Sequence, residues 1–177
     1  ANPLKVEAMR GFGADVVFDG VDFDECRAAA GARASRDGMF FVHSANERAL
    51  IAGVATYVLE LLAREPDLDV LFVPVGGGSG LCGALIAGKA INPNLKVIGV
   101  QAAGAPAVYE SWRRRELLSF DTMQTFAEGV ATRVAFELPA HIIWDGVDDI
   151  VLVSDGEMRQ AIAVLLETTH TLAEGAG

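Results

Sequence analysis

Apolar residues along this chain follow two alternating rhythms. Short runs rich in Val, Ile, Leu and Phe, at residues 14–18, 39–42, 70–75, 97–100 and 150–153, have the length and composition of buried strands. Between them, residues 24–36, 50–65, 81–91 and 158–172 carry apolar positions at helical spacing. The last of these follows Ser154-Asp155-Gly156-Glu157, a capping box in which Ser154 and Glu157 satisfy each other's backbone donors. Strands alternating with helices predict an α/β chain whose parallel sheet is covered by helices on both faces. Residues 104–129 show no clear period and are expected to include an irregular loop.

The join between the third strand and the helix after it is the most informative point in the pattern. Gly76-Gly77-Gly78-Ser79-Gly80 separates residues 70–75 from residues 81–91. Glycines let backbone approach a ligand closely, and the following helix offers unpaired N–H groups and the positive end of its dipole, so the segment predicts an anion cradle. A P-loop is excluded, because it needs a lysine directly after the glycines and the nearest, Lys89, lies more than two turns into the helix. Gly78-Ser79-Gly80-Leu81-Cys82-Gly83 matches the dinucleotide pattern G-x-G-x-x-G, but the next strand ends in Gln101 where a ribose-binding acid belongs. A nucleophile elbow fails as well, with Leu81 where its last glycine must be, so the Ser79 hydroxyl is read as a phosphate donor. There remains a single phosphate monoester.

Composition narrows the partners. With 177 residues, 51% of them hydrophobic, the chain can bury a substantial core. A formal charge of −10 and a pI near 4.6 oppose binding to nucleic acid or to acidic membranes, both of which require cationic surface. No apolar run reaches the roughly 18 residues of a membrane span, and the first residues lack the pattern of a signal peptide, so a cytoplasmic location is expected. Cys26 and Cys82 are too few for a disulfide framework, and neither is assigned a role. The first residues read as the middle of a helix and the last as a turn leading onward, so a fragment of a longer protein is expected.

Taken together, Val73 to Leu81, Val97-Ile98-Gly99-Val100-Gln101, Thr125-Phe126-Ala127-Glu128-Gly129-Val130-Ala131 and Ala173-Glu174-Gly175-Ala176-Gly177 resemble segments of the threonine and serine dehydratases, ammonia-lyases of the fold type II pyridoxal phosphate enzymes. Upstream, Asn2, Lys5, Ala8 and Gly13-Ala14-Asp15-Val16, then His43-Ser44-Ala45-Asn46 and Ile51-Ala52-Gly53-Val54-Ala55-Thr56, resemble the same family, so the likeness spans nearly the whole chain. It implies a partial fold like that of the tryptophan synthase β chain. Residues 1–43 would be the C-terminal part of a small domain, and residues 44–177 part of the large cofactor-binding domain. It also implies pyridoxal 5'-phosphate as cofactor, a small amino acid as substrate and a homodimer or larger assembly. The implied reaction in an intact parent is elimination from L-threonine or L-serine to a 2-oxo acid and ammonia.

Carried over by residue, the resemblance implies that Gly76, Gly77, Gly78, Ser79 and Gly80 hold the cofactor phosphate. Gly129 would line the cofactor ring, and Glu174 would stand near the active site. Some relatives bind a divalent cation near the segment matching Gln124 to Glu128, but Gln124 stands where an acidic first ligand belongs, so no metal is expected. The family's Schiff-base lysine, in a Ser-x-Lys-x-Arg-Gly type segment, has no match here. Lys5, Lys89 and Lys96 each read as solvated surface charge, and no residue of this chain is assigned a catalytic role. Two alternatives stay open: another enzyme of the same fold, such as a serine racemase or a cysteine synthase, and a noncatalytic phosphate-binding fragment.

Other patterns carry less. Glu167-Thr168-Thr169-His170 is a single Glu-x-x-His where a di-iron site needs two copies, and His43, His141 and His170 have no zinc spacing. Asp19, Asp22, Asp24 and Glu25 read as a helix cap rather than a calcium loop. Arg113-Arg114-Arg115 beside Trp112 reads as a solvated helix end or part of a subunit contact.

Overall fold

The computed structural model describes residues 2–177, and the chain divides into two compact units, Ala1–Phe41 and Val42–Gly177. The first unit contains helices α1 (Pro3–Gly11) and α2 (Phe23–Asp37). Both begin where capping chemistry dictates. Asn2 Oδ1 accepts from the Leu4 N–H at 3.0 Å ahead of Pro3, whose missing N–H costs nothing in a first turn. Asp22 accepts from the Glu25 N–H at 2.8 Å, while Glu25 accepts from the Val21 N–H, so the acidic cluster does cap a helix. The strands expected at residues 14–18 and 39–42 do not form. A strand exists only through ladder bonds to a neighbour, and neither run has one among the described residues.

The second unit carries a three-stranded parallel sheet in the order β1 (Val70–Pro74), β2 (Lys96–Ala102), β3 (Asp149–Val153). Register pairs Val70 with Lys96 and Ile98 with Asp149. Helices α3 (Arg48–Val54) and α4 (Thr56–Arg64) precede β1, and the expected single helix over residues 50–65 is broken at Ala55, where the Thr56 hydroxyl donates to Gly53 O at 2.7 Å. Between β1 and β2 the chain is helical from α5 (Ser79–Gly83) through a π turn (Ala84–Gly88) to α6 (Lys89–Ile91). Residues 104–129 are not all loop. They contain α7 (Ala107–Arg114), which ends in the exposed arginines, and a 3₁₀ turn (Glu128–Val130) begins at their end. Helix α8 (Glu137–Gly146), with no expected counterpart, leads into β3, and α9 (Asp155–Thr169) opens on the expected capping box.

The core lies on one face of the sheet. Val73, Val75, Val97 and Ile150 pack there with Val58, Leu62, Leu81, Leu85 and Ile143 from the helices, burying the apolar stripe each element presents. The other face is covered by a helix too, as expected, but more loosely. Helix α9 lies over it without burying any residue, and a cavity of about 300 Å³ lined by Phe72, Val100, Val153, Met158 and Leu165 separates them. Among the described residues, no helix is long and apolar enough to cross a membrane.

Candidate functional site

The glycine loop begins where the ladder stops. Val75 N–H makes the last bond to β2, donating to Val100 O at 2.8 Å, and Cys82 N–H makes the first bond of the next helix, to Gly78 O at 2.9 Å. None of the described residues accepts from the backbone N–H groups in between, Gly76 to Leu81. Gly78 turns the chain with φ +92°, a conformation that side chains with Cβ rarely adopt. Uncommitted donors at the head of a helical rod are what an anion site built from peptide dipoles, rather than from lysine or arginine, requires.

The loop is set in place from beneath. A Cβ on Gly77 would come within 2.8 Å of Ala45 Cβ and 3.1 Å of Phe136, and one on Gly78 within 2.9 Å of Ile143. Gly80 is different, since its Cβ would meet only Val73, at an ordinary 3.9 Å. Ala45 is placed by His43, whose Nδ1 accepts from the Ala45 and Asn46 N–H groups at 3.0 and 2.8 Å and whose ring stands edge-on to Phe136. Asn46 Oδ1 then accepts from Leu138 N–H at 2.9 Å, tying this turn to the start of α8. None of these supports was anticipated. They lie far away in sequence, and the only signal was the turn-like His43-Ser44-Ala45-Asn46.

The remaining expected residues converge on the same place. A Cβ on Gly76 would lie 3.0 Å from Gly129 O, and one on Gly129 would lie 3.6 Å from the Glu174 carboxylate and 2.9 Å from Ala176. Gly76 to Gly80, Gly129 and Glu174 therefore form one neighbourhood, although three separate segments supply them. Tyr57 donates its hydroxyl to Gly80 O at 3.3 Å, and burial raises the pKa of that phenol.

Other groups are committed elsewhere. Burial pushes the Cys82 thiol up to about 12, and its Sγ donates to Pro139 O at 3.6 Å, so it is not a thiolate at neutral pH. Lys89 Nζ is held by Asp148 at 2.7 Å, at the end of the helical run that begins with Ser79. Lys96 opens β2 at the end remote from the loop. Among the described residues no three His, Cys, Asp or Glu side chains gather as a metal site.

Comparison with known proteins places this geometry. All of residues 1–177 match the family model described as pyridoxal-phosphate dependent enzyme. The chain is 38% identical over 175 residues to an L-threonine ammonia-lyase of Geobacter sulfurreducens, an alignment covering 99% of this chain and 44% of that protein. Among solved structures it resembles a processed threonine deaminase isoform of Solanum lycopersicum, with TM-score 0.92, 29% identity, and coverage of 99% of this chain and 48% of that one. It also resembles maize serine racemase, with TM-score 0.91, 25% identity and coverage of 99% and 53%. The chain thus spans about half the length, or less, of these relatives.

Proposed function

The chain belongs to the pyridoxal-phosphate dependent enzymes, and from that premise we propose that its glycine loop holds the cofactor phosphate in a threonine or serine ammonia-lyase. The observation that carries this reading is the run of uncommitted backbone donors from Gly76 to Leu81, which fits the oxygens of a phosphate monoester. The Ser79 hydroxyl adds a further donor, and the missing Cβ atoms leave the loop's backbone open to close approach. Residues 127–130 form a wall beside the loop, with Gly129 toward the cofactor ring and the Glu174 carboxylate behind it. When bound, the cofactor supplies an electron sink for charge developing at the substrate α-carbon. The residues of this chain bind and orient it, in the near-attack sense that positioning alone lowers a barrier.

On this reading the intact protein removes the α-proton and the β-hydroxyl of L-threonine or L-serine and yields a 2-oxo acid and ammonia. Lys89 is paired and Lys96 opens the far end of its strand, and the Ser-x-Lys-x-Arg-Gly type segment that carries the family's reactive lysine has no match in this sequence, so we place that lysine outside the present residues. Residues 1–43 would then belong to a small domain and residues 44–177 to the cofactor domain of a cytoplasmic enzyme, assembled as a homodimer or larger. Racemisation is the second reading, favoured by the likeness to maize serine racemase. Incubating the intact holoenzyme with L-threonine and L-serine separates them: 2-oxo acid and ammonia are expected, and accumulation of D-serine without 2-oxo acid would overturn the lyase reading.

A further inference from the structure

Resting on that cofactor-binding role, we propose that Asp155 and Thr125 act together as positioning residues that fix the wall carrying Gly129 against the glycine loop. The Asp155 carboxylate accepts twice from one short segment: from the Thr125 hydroxyl at 2.7 Å through Oδ1 and from the Phe126 N–H at 3.0 Å through Oδ2. Thr125 Oγ1 in turn accepts from the Ala127 N–H at 3.2 Å, so its hydroxyl is used in both directions and its rotor is locked. Immediately after Ala127 comes the 3₁₀ turn of residues 128–130, which sets Gly129 O beside Gly76. One turn along α9, the Arg159 guanidinium lies 4.3 Å over the Phe126 ring and 3.8 Å from the Asp155 carboxylate. The segment is also pinned at its other end, because Gln124 N–H donates to Gly104 O and a Cβ on Gly104 would fall only 1.8 Å from Gln124 O.

These hydrogen bonds add direction to a wall that is also packed, since Ala127 and Val130 are buried in a small apolar cluster against which Met158 and Ala176 lie. Helix α9 buries no residue, and Asp155 in its first turn supplies the hydrogen bonds that run from this helix to residues 125 and 126. Directional, charge-assisted hydrogen bonds fix backbone position more narrowly than apolar contact does, and a site wall displaced by about 1 Å loses much of its effect. The Thr125 hydroxyl holds the Asp155 carboxyl below the usual carboxylate range, so the acceptor is charged at neutral pH. Asp155 touches neither substrate nor cofactor in this scheme and acts through Thr125 and Phe126.

The test uses the intact holoprotein carrying Asp155→Ala, Thr125→Val or Thr125→Ser, each checked for folding by its melting curve. Cofactor release on dialysis and the emission spectrum of bound cofactor are read alongside amide exchange across residues 124–130. Asp155→Ala and Thr125→Val are expected to release cofactor about tenfold faster, shift its emission and speed local exchange, as loss of a charge-assisted bond implies. Thr125→Ser, which keeps the hydroxyl, is expected to restore release rate and emission. Wild-type release and emission in Thr125→Val would overturn the proposal even if Asp155→Ala fails to fold. Gly80→Asp serves as the control for the underlying role. If it loses cofactor while Asp155→Ala and Thr125→Val retain it, the positioning claim alone falls, whereas retention by Gly80→Asp overturns both.

Discussion

Gly77 and Gly80 are glycines for different physical reasons. At Gly77 a side chain would strike Ala45 and Phe136, so Gly77→Asp would disturb packing and charge together. At Gly80 an added Cβ would meet only Val73, at 3.9 Å, and Gly80→Ala should fold normally and gain helix propensity, by up to ~1 kcal/mol. Ser79→Ala removes one neutral-to-anion hydrogen bond and is expected to weaken cofactor affinity about tenfold with an unchanged melting temperature, measured by cofactor titration. The loop was legible in sequence because glycines after a strand have few other uses. Its supports were not, since nothing in Ala45 or Phe136 taken singly predicts contact with Gly77. Gln101 is an instructive case: the position that excludes ribose recognition is fully buried and caps α7, its Oε1 accepting from Tyr109 N–H at 2.8 Å.

At the scale of elements, the strands 70–75, 97–100 and 150–153 were legible because apolar runs flanked by turn residues suit a buried parallel ladder. Residues 14–18 and 39–42 are also apolar runs, but they form no strand ladder among the described residues, and composition cannot supply one. Helix α7 was obscured by its polar residues and by Pro106 ahead of it, and the 50–65 period hid the break at Ala55 because both halves face one core. Asp148 shows how elements are joined at the far end from the site, accepting from Lys89 Nζ at 2.7 Å and from the Val97 N–H at 2.8 Å. Burial raises this carboxyl's pKa, but the Lys89 and Val97 donors outweigh it and hold it below the usual range. A group held low contributes stability above the ordinary carboxylate pKa and loses that contribution as pH falls through the folded value. Asp148→Asn should therefore melt slightly below wild type at pH 7, by no more than ~1 kcal/mol for so exposed a pair, with the gap closing below about pH 4. Thermal unfolding across pH checks this, and a gap that widens in acid contradicts it.

For the whole molecule, the family likeness, the sheet and the convergence of Gly76, Gly129 and Glu174 support the proposal of a cofactor-holding segment whose glycine loop has free backbone donors, with Lys89 and Lys96 of the same unit set away from it. Segments distant in sequence meet because β1, the 3₁₀ turn and the final turn at Glu174 come together at one end of the sheet. The sequence motifs indicated each segment, while only the fold shows that they are neighbours. The measurement that bears most directly on this picture is the bound-cofactor absorbance of purified, intact Gly80→Asp protein, in which the added Cβ would meet only Val73, at 3.9 Å, and the carboxylate adds a negative charge to the loop. Loss of that absorbance with a wild-type melting curve is the predicted result. Full cofactor occupancy in Gly80→Asp would contradict the assignment of the glycine loop as the phosphate cradle.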